Sequence, residues 1–319
     1  KKSKYDMYFV FSFGFILISA VLFGQTKLEQ SKDAYLKDNN FIIKIISPKI
    51  GIERFYNTEN EEEILQSLIK LSKPNKQVKT IFVWPEGIFN NTELKNIKKY
   101  QNIFREKFSN KHLIIFGINN SVNEKTFNSL AVVNNNLDLI EFYNKNKLVP
   151  FGEFLPLEKF LKNLGMKTIT NFYNSYSIGE KREVINLQQQ QFDISFLPLI
   201  CYEIIYSGKL SKKKNYDLII NISEDGWFGK SIGPHQHFAK AKFRAIENDN
   251  YLIRSANKGF SAFLDDKGKI IKILKPGEVG NIEFKVPIKE GSKNTKNNLI
   301  FFILLFTYTT IFLYFNNEK

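Results

Sequence analysis

The chain has 319 residues, of which 43% are hydrophobic and 15% aromatic, and this composition excludes a disordered chain because it supplies enough apolar material for a packed core. Lysine and arginine outnumber aspartate and glutamate by 46 to 32, a formal charge of +14, but the lysines are scattered and no helix-turn-helix, zinc-finger or RNA-binding motif accompanies them. We therefore predict no nucleic-acid partner, and the single cysteine, Cys201, excludes a disulfide within the chain.

The first predicted element is an uncharged helix near the amino end. Residues 7–26 read MYFVFSFGFILISAVLFGQT, long enough at about 1.5 Å per residue to match a hydrocarbon core of about 30 Å. Three lysines precede this segment and would also suit a signal peptide. Because no clean A-x-A cleavage site follows, we prefer an uncleaved transmembrane anchor over residues 1–26, with its basic end in the cytoplasm.

In residues 27–296, β-rich apolar runs alternate with segments of helical periodicity, which predicts an α/β domain. Helical periodicity predicts helices at Glu61–Leu71, Leu94–Phe108 and His237–Glu247, and FSAFLDDKGKIIKIL predicts a hairpin that turns at residues 266–268. Strands are predicted at the β-rich runs NFIIKIIS, KTIFVWP, HLIIFGI, SLAVVN, LDLIEFY, ISFLPLI, YDLIINIS and NYLIRSAN. Sheets covered by helices are the natural arrangement for such a mixture.

A second uncharged segment closes the chain. Residues 299–315 read LIFFILLFTYTTIFLYF and predict a C-terminal transmembrane helix within residues 297–319. Two spans with a cytoplasmic amino end place the domain between them outside the cytoplasm.

Three polar residues follow predicted strands: Glu86 in TIFVWPEGIF, Lys145 in EFYNKNKLVPFGEFLP and Cys201 in LPLICYEIIYSG. Taken singly, they read as a helix-capping acid, a solvated lysine and a small core residue. Taken together they suit nucleophilic catalysis, because a thiol with an unperturbed pKa of about 8.5 needs a base to take its proton and a cation to favour the thiolate.

Their order and surroundings resemble a known family. The segments WPEGIF, YNKNKLVPFGEFLP and ICYEIIYSG resemble the nitrilase (carbon–nitrogen hydrolase) superfamily, and LVPFGE with NISEDGWFGKSIGPHQHFAKAKFRAIEND is similar to its apolipoprotein N-acyltransferases. The resemblance covers about residues 41–286 and implies a nitrilase-like α-β-β-α sandwich flanked by transmembrane helices. It implies that Glu86 is the general base, Lys145 the oxyanion-stabilising lysine and Cys201 the nucleophile.

The resemblance also implies supporting roles for Glu153, Tyr202 and Glu203, with the backbone N–H of Tyr202 available to the oxyanion. Strand periodicity alone does not separate Lys145 from Lys147, since both would point to the same side of a regular strand. The family pattern Y-x-K-x-x-L favours Lys145.

The sequence leaves the roles of several further residues undecided. Trp227 and Phe228, with the apolar stretch 154–173, are candidates for substrate binding, and ordinary packing is the alternative reading. Glu224 departs from the Ser-Asn-Asp pattern of the family, and its role is undecided. Arg244 and Glu247 lie three residues apart on a predicted helix and are expected to form a structural ion pair.

The resemblance implies acyl transfer at the outer face of a bacterial inner membrane. An acyl chain would pass from a phospholipid, phosphatidylethanolamine being the expected donor, through a Cys201 thioester to the N-terminal amine of a diacylglyceryl-cysteine lipoprotein. No cofactor or metal is expected, because His235 and His237 are spaced i, i+2 instead of i, i+4.

Two alternatives remain: a membrane-tethered amidase or nitrilase that uses water, and a catalytically inactive membrane-anchored interaction module. Family members carry several membrane helices before the catalytic domain, whereas this chain offers one and starts at Lys1 without methionine. We therefore expect a multi-pass protein whose earlier spans are missing from this sequence.

Overall fold

The computed structural model describes residues 4–30, 36–37, 39–56, 61–157, 175–187, 192–208, 210, 216–289 and 299–316. Two β-sheets pack face to face within them, and helices cover the outer face of each sheet.

The first sheet has seven strands. They are β2 (Ile42–Ser47), β3 (Thr80–Val83), β4 (Phe89–Glu93), β5 (His112–Val122), β6 (Lys125–Asn134), β7 (Leu139–Asn144) and β14 (Gly280–Phe284). Their order is β14-β2-β3-β5-β6-β7, with β4 paired to β5. Strands β2, β3 and β5 run parallel at the centre, where every residue of β3 is buried, as expected for strands covered on both faces.

The second sheet has six strands. They are β8 (Ile185–Asn186), β9 (Ser195–Ile200), β10 (Leu218–Glu224), β11 (Tyr251–Asn257), β12 (Ser261–Leu264) and β13 (Ile270–Leu274). Strands β9, β10 and β11 are parallel, and β12 and β13 form the predicted hairpin. A small separate pair joins β1 (Leu36–Lys37) to β15 (Ile288–Lys289).

Three apolar layers hold this arrangement together. Between the sheets, Val83 and Ile115 of the first sheet belong to one buried cluster with Ile200 and Ile220 of the second. Outside the first sheet lie α2 (Glu61–Ser72) and α3 (Gln101–Lys107), and outside the second lies α4 (Gly233–Asn248). The predicted α-β-β-α sandwich is confirmed.

The predicted helices are confirmed with one difference. Helices α2 and α4 contain the predicted segments, and α4 begins earlier, with Pro234 in its first turn, where a missing N–H costs nothing. The segment predicted as one helix at Leu94–Phe108 is instead a 3-10 helix, Leu94–Tyr100, followed by α3. The two meet at Tyr100, whose hydroxyl donates to the buried carboxylate of Glu61 at 2.7 Å.

The ends of the chain form the helices α1 (Lys4–Gln30) and α5 (Leu299–Asn316). The prediction that they span a membrane is not confirmed, because no helix among the described residues combines the length and the apolar character needed to cross one.

Candidate active site

The three candidate catalytic residues meet in one cavity. Glu86 follows β3, Lys145 follows β7 and Cys201 follows β9, and all three line a cavity of about 920 Å³. Glu86 and Cys201 lie beyond the carboxyl ends of parallel strands in opposite sheets. The cavity therefore opens where the two sheets end together, the usual location of a site in an α/β fold.

Cys201 occupies a sharp turn between β9 and a 3-10 helix, Cys201–Ile205. Its φ of 46° lies in the left-handed region, which costs a non-glycine residue of the order of 1–3 kcal/mol and is typical of functional sites. The side chain is partly exposed to the cavity. Burial and the charge of Glu86 raise the pKa of the Cys201 thiol, and Lys145 opposes this only in part. Burial and Glu86 therefore favour the neutral thiol of Cys201 over the thiolate.

Hydrogen bonds to both of its carboxylate oxygens hold the side chain of Glu86 in place. Oε1 accepts a hydrogen bond from Asn128 Nδ2 at 2.7 Å and faces Lys145 Nζ at 3.5 Å, while Oε2 accepts one from the backbone N–H of Glu224 at 2.9 Å. The backbone of Glu86 also packs against Gly117 of β5, where a Cβ atom would lie 2.7 Å from the Cα of Glu86. A side chain at position 117 would displace the candidate base.

Lys145 is buried between two carboxylates. Its Nζ donates to Glu153 Oε1 at 2.9 Å and lies 3.5 Å from Glu86 Oε1. Burial alone would lower the pKa of Lys145, but the charges of Glu153 and Glu86 outweigh it and raise the pKa well above its ordinary value. The cation is therefore retained beside the thiol. Lys147 is exposed, because the chain leaves strand geometry after Asn144.

Glu153 completes this cluster and lines the cavity. Its Oε1 also accepts from Asn128 Nδ2 at 2.8 Å, and its Oε2 accepts from the backbone N–H of Val149 at 2.9 Å. Glu153 thus fixes both the lysine and the loop that follows it.

Glu203 lies outside the cavity lining and joins two segments of the site. Its fully buried carboxylate accepts hydrogen bonds from Tyr143 Oη at 2.6 Å and from the backbone N–H of Lys147 at 3.1 Å and of Ile200 at 2.9 Å. Arg182 neutralises the charge at 2.7 Å. Glu203 therefore ties the segment that carries Lys145 to the turn that carries Cys201.

The aromatic candidates all reach the cavity. Tyr202, Trp227 and Phe228 line it, and Trp227 stacks on Phe55 with ring centroids 5.1 Å apart. Tyr202 lies in the first turn of its 3-10 helix, where backbone N–H groups lack partners within the helix. Of the apolar stretch 154–173, the part from residue 158 onward lies outside the described residues.

Sequence reasoning missed two groups of residues near the site. Asn128, which bridges Glu86 and Glu153, was detectable only as a polar residue beside an apolar run. His237 faces the carbonyl oxygen of Cys201 through Nε2 at 3.2 Å and Asp225 through Nδ1 at 2.9 Å, and Arg254 pairs with Asp225 at 2.8 Å. In the part of the chain that the structure describes, no group of three or more acidic, histidine or cysteine side chains could hold a metal ion.

The family follows from a comparison with known protein families. The carbon–nitrogen hydrolase family model matches residues 90–288, more than half of the chain. The chain belongs to the carbon–nitrogen hydrolase family. The family match includes Lys145 and Cys201, whereas Glu86 lies four residues before its first residue.

Within this family the chain is similar to proteins named apolipoprotein N-acyltransferase. The one from Rhizobium etli is 30% identical over 286 residues, covering 84% of this chain and 52% of the relative. The one from Bradyrhizobium diazoefficiens is 28% identical over 287 residues, covering 85% and 52%. The chain thus spans about half the length of these curated relatives.

Solved carbon–nitrogen hydrolase structures share the fold. One from Xanthomonas campestris, with an arsenic adduct in its active site, matches with a TM-score of 0.53 at 14% identity and covers 83% of this chain and 96% of that one. An amidase from Nesterenkonia sp., with acrylamide added to its active-site cysteine, matches with a TM-score of 0.53 at 12% identity and covers 77% and 93%.

Proposed function

We propose that this chain is an apolipoprotein N-acyltransferase that works through a thioester on Cys201. The observation that carries the proposal is the convergence of Glu86, Lys145 and Cys201 on one cavity of about 920 Å³, in a chain whose relatives bear that name. Cavities of several hundred Å³ lined largely by apolar and aromatic groups accommodate large organic ligands.

In the first step Glu86 takes the thiol proton of Cys201, and the sulfur attacks an ester carbonyl carbon of a phospholipid. The developing oxyanion is stabilised by the buried ammonium of Lys145 and the backbone N–H of Tyr202. The ester C–O bond then breaks, and Glu86 returns the proton to the departing oxygen, which leaves a lysophospholipid and a thioester.

In the second step the free α-amine of a diacylglyceryl-cysteine attacks the thioester carbonyl. Glu86 accepts a proton from the amine, the C–S bond breaks, and the sulfur regains a proton, so the enzyme returns to its starting state. A thioester reacts with amines far more readily than an ester does, and one difficult transfer therefore becomes two easier ones.

We also propose that the domain 27–296 works at the outer face of a bacterial inner membrane. Apolar side chains of the terminal helices are exposed, among them Phe11 and Phe15 of α1 and Phe306 of α5. Both proposed substrates are lipids, and withdrawing an acyl chain from a bilayer costs about 0.8 kcal/mol per methylene. Flotation of the expressed chain with liposomes tests this, and a chain that stays at the bottom of the gradient would contradict it.

The direct test supplies phosphatidylethanolamine together with a diacylated lipopeptide and analyses the products by mass spectrometry. We expect N-acylated lipopeptide and lysophospholipid in equal amounts, and neither product from a folded Cys201→Ala variant. Glu86→Gln is expected to form no acyl adduct on Cys201, since the thiol then keeps its proton. Free fatty acid as the only product would replace the transferase with a hydrolase that uses water.

A further inference from the structure

Two buried charges beside the site have no part in the mechanism above. Arg54 lies in a short 3-10 turn, Ile52–Phe55, and Glu224 is the last residue of β10. Their side chains form an ion pair between Nη2 and Oε2, with exposed fractions of 3% and 1%. Removing two charges from water costs several kcal/mol each, so a buried pair is by itself weak evidence for stability. The contacts of the Arg54–Glu224 pair therefore need to be examined for a role other than stability.

The contacts of Arg54 lead to the residue that follows the base. Its Nε donates to the carbonyl oxygen of Gly87 at 3.0 Å, and its Nη1 donates to that of Gly51 at 2.7 Å. The guanidinium also lies 4.2 Å from the ring centre of Phe55, which stacks on Trp227. Arg54 thus fixes one flank of Glu86 and one wall of the cavity.

The contacts of Glu224 lead to the base itself. Its backbone N–H donates to Glu86 Oε2, and its side chain accepts from Gly226 N–H at 2.8 Å and from Asn257 Nδ2 at 2.8 Å. The carboxylate therefore holds in place the turn whose N–H group points at Glu86. Burial raises the pKa of Glu224 although Arg54 opposes it, so its charge depends on the pairing.

We propose that the Arg54–Glu224 pair positions the general base. This positioning role rests on the proposed function, because the Arg54–Glu224 pair would act on the reaction only through Glu86. Arg54 holds the carbonyl group of Gly87, the residue after Glu86, and the side chain of Glu224 holds the backbone N–H that donates to Glu86 Oε2. Because Arg54 and Glu224 carry opposite charges, their pair adds no net charge beside the Glu86 carboxylate. Among the described residues, the other charged or titratable groups around Glu86 include Lys145, Glu153, Tyr176 and Cys201.

The two single variants should act in opposite directions. Arg54→Gln removes the cation that keeps Glu224 ionised, so Glu224 takes up a proton, and releases the turn that it holds, at a higher pH than in the wild type. The acidic limb of the pH–rate profile should therefore move to higher pH. Glu224→Gln leaves the guanidinium uncompensated, so that limb should move to lower pH. Each variant should slow acylation at neutral pH about 10-fold or more, because the carboxylate loses its fixed orientation.

The experiment measures single-turnover acylation of Cys201 by p-nitrophenyl butyrate, followed by quenching and intact mass at a series of pH values. The double variant Arg54→Gln with Glu224→Gln should recover the wild-type acidic limb, since no unbalanced charge remains beside Glu86, but it should stay slower than wild type because the bonds from Arg54 to Gly87 and Gly51 are lost. Arg54→Lys, which keeps the charge, should keep the wild-type acidic limb. Glu247→Gln, which breaks the ion pair of Arg244 and Glu247 on α4, is the matched control and should match wild type.

The outcomes separate the two proposals. A folded wild-type chain that forms no Cys201 adduct overturns the proposed function. A reactive wild type whose single variants keep its rate and its acidic limb overturns the positioning role and leaves the proposed function standing. Variants that lower only the folded fraction, with unchanged kinetics of the folded protein, would likewise overturn it.

Discussion

Two lysines that are neighbours in sequence have opposite environments. Lys145 is 1% exposed and lies between Glu86 and Glu153, whereas Lys147 points to solvent with its ammonium 5.9 Å from the ring centre of Tyr206. The difference arises because β7 ends at Asn144 and the backbone turns there. The alternation of side chains along a strand would instead place Lys145 and Lys147 on the same side, in the same environment.

This contrast makes a prediction for substitutions at the two positions. Lys145→Met leaves two buried carboxylates without their cation, so we expect a loss of about 3–5 kcal/mol in the free energy of unfolding and at least 100-fold in the rate of Cys201 acylation. Lys147→Met is the matched control and should change either quantity little. Chemical denaturation and single-turnover acylation measure the two effects. Equal losses in both variants would contradict the assignment of Lys145.

At the scale of elements, the site depends on close approach between β5 and the segment after β3. The N–H of Gly117 donates to the carbonyl oxygen of Pro85 at 3.2 Å, and the backbone of Glu86 lies directly over the glycine. Alanine at this position would place its Cβ 2.7 Å from the Cα of Glu86 and from the nitrogen of Gly87. Only glycine at position 117 leaves room for the backbone of Glu86 in its observed position.

We therefore predict that Gly117→Ala destabilises the fold by about 1–3 kcal/mol and slows acylation about 10-fold or more, through displacement of Glu86. Gly24→Ala in α1 is the matched control, because a Cβ there meets no atom within 4 Å. Thermal unfolding and adduct formation on Cys201 distinguish the variants. Wild-type kinetics in Gly117→Ala would show that the base has more room than the structure indicates.

At the scale of the whole molecule, stability in acid should depend on a buried aspartate. Asp225 lies 2.8 Å from Arg254 and 2.9 Å from His237. Burial would raise the pKa of Asp225, but Arg254 and His237 outweigh it and hold the pKa at about 2. The unfolded chain therefore takes up this proton first as pH falls, and the stability that Asp225 contributes above about pH 4 is lost towards pH 2.

The expected size of this effect is about 2 kcal/mol. Between about pH 5 and about pH 2, the wild type should lose that much more unfolding free energy than Asp225→Asn, as measured by urea denaturation with tryptophan fluorescence. Asp249→Asn, which removes a half-exposed carboxylate paired with Lys267, should keep the wild-type loss. Identical pH dependence in wild type and Asp225→Asn would contradict the low pKa.

The sequence predicted the features that are local in the chain. The eight strand runs, α2 and α4, the hairpin and the Arg244–Glu247 ion pair, 2.8 Å long, are confirmed because periodicity and turn chemistry act over a few residues. The structure also gathers Glu86, Lys145 and Cys201 around one cavity, while their catalytic roles stay predictions.

The features that escaped prediction depend on distant partners. Glu224 was only a departure from a pattern, since its partner Arg54 lies 170 residues away, and Glu203 gave no sign that it bridges two loops. The change from 3-10 to α geometry within Leu94–Phe108 falls at Tyr100, whose hydroxyl bonds to Glu61, 39 residues away. Tertiary contacts of this kind leave no periodic signal along the chain.

Glu86 and Lys145 follow strands of one sheet of the sandwich, and Cys201 follows a strand of the other. Neither sheet alone brings the three proposed catalytic residues together, so the proposed site forms only when the apolar faces of the two sheets have packed against each other. During synthesis and folding the sulfur would have no partner to deprotonate it, and a half-formed chain surrounded by lipid esters would not become acylated by accident. The ability of Cys201 to become acylated would then indicate that the two sheets have packed together.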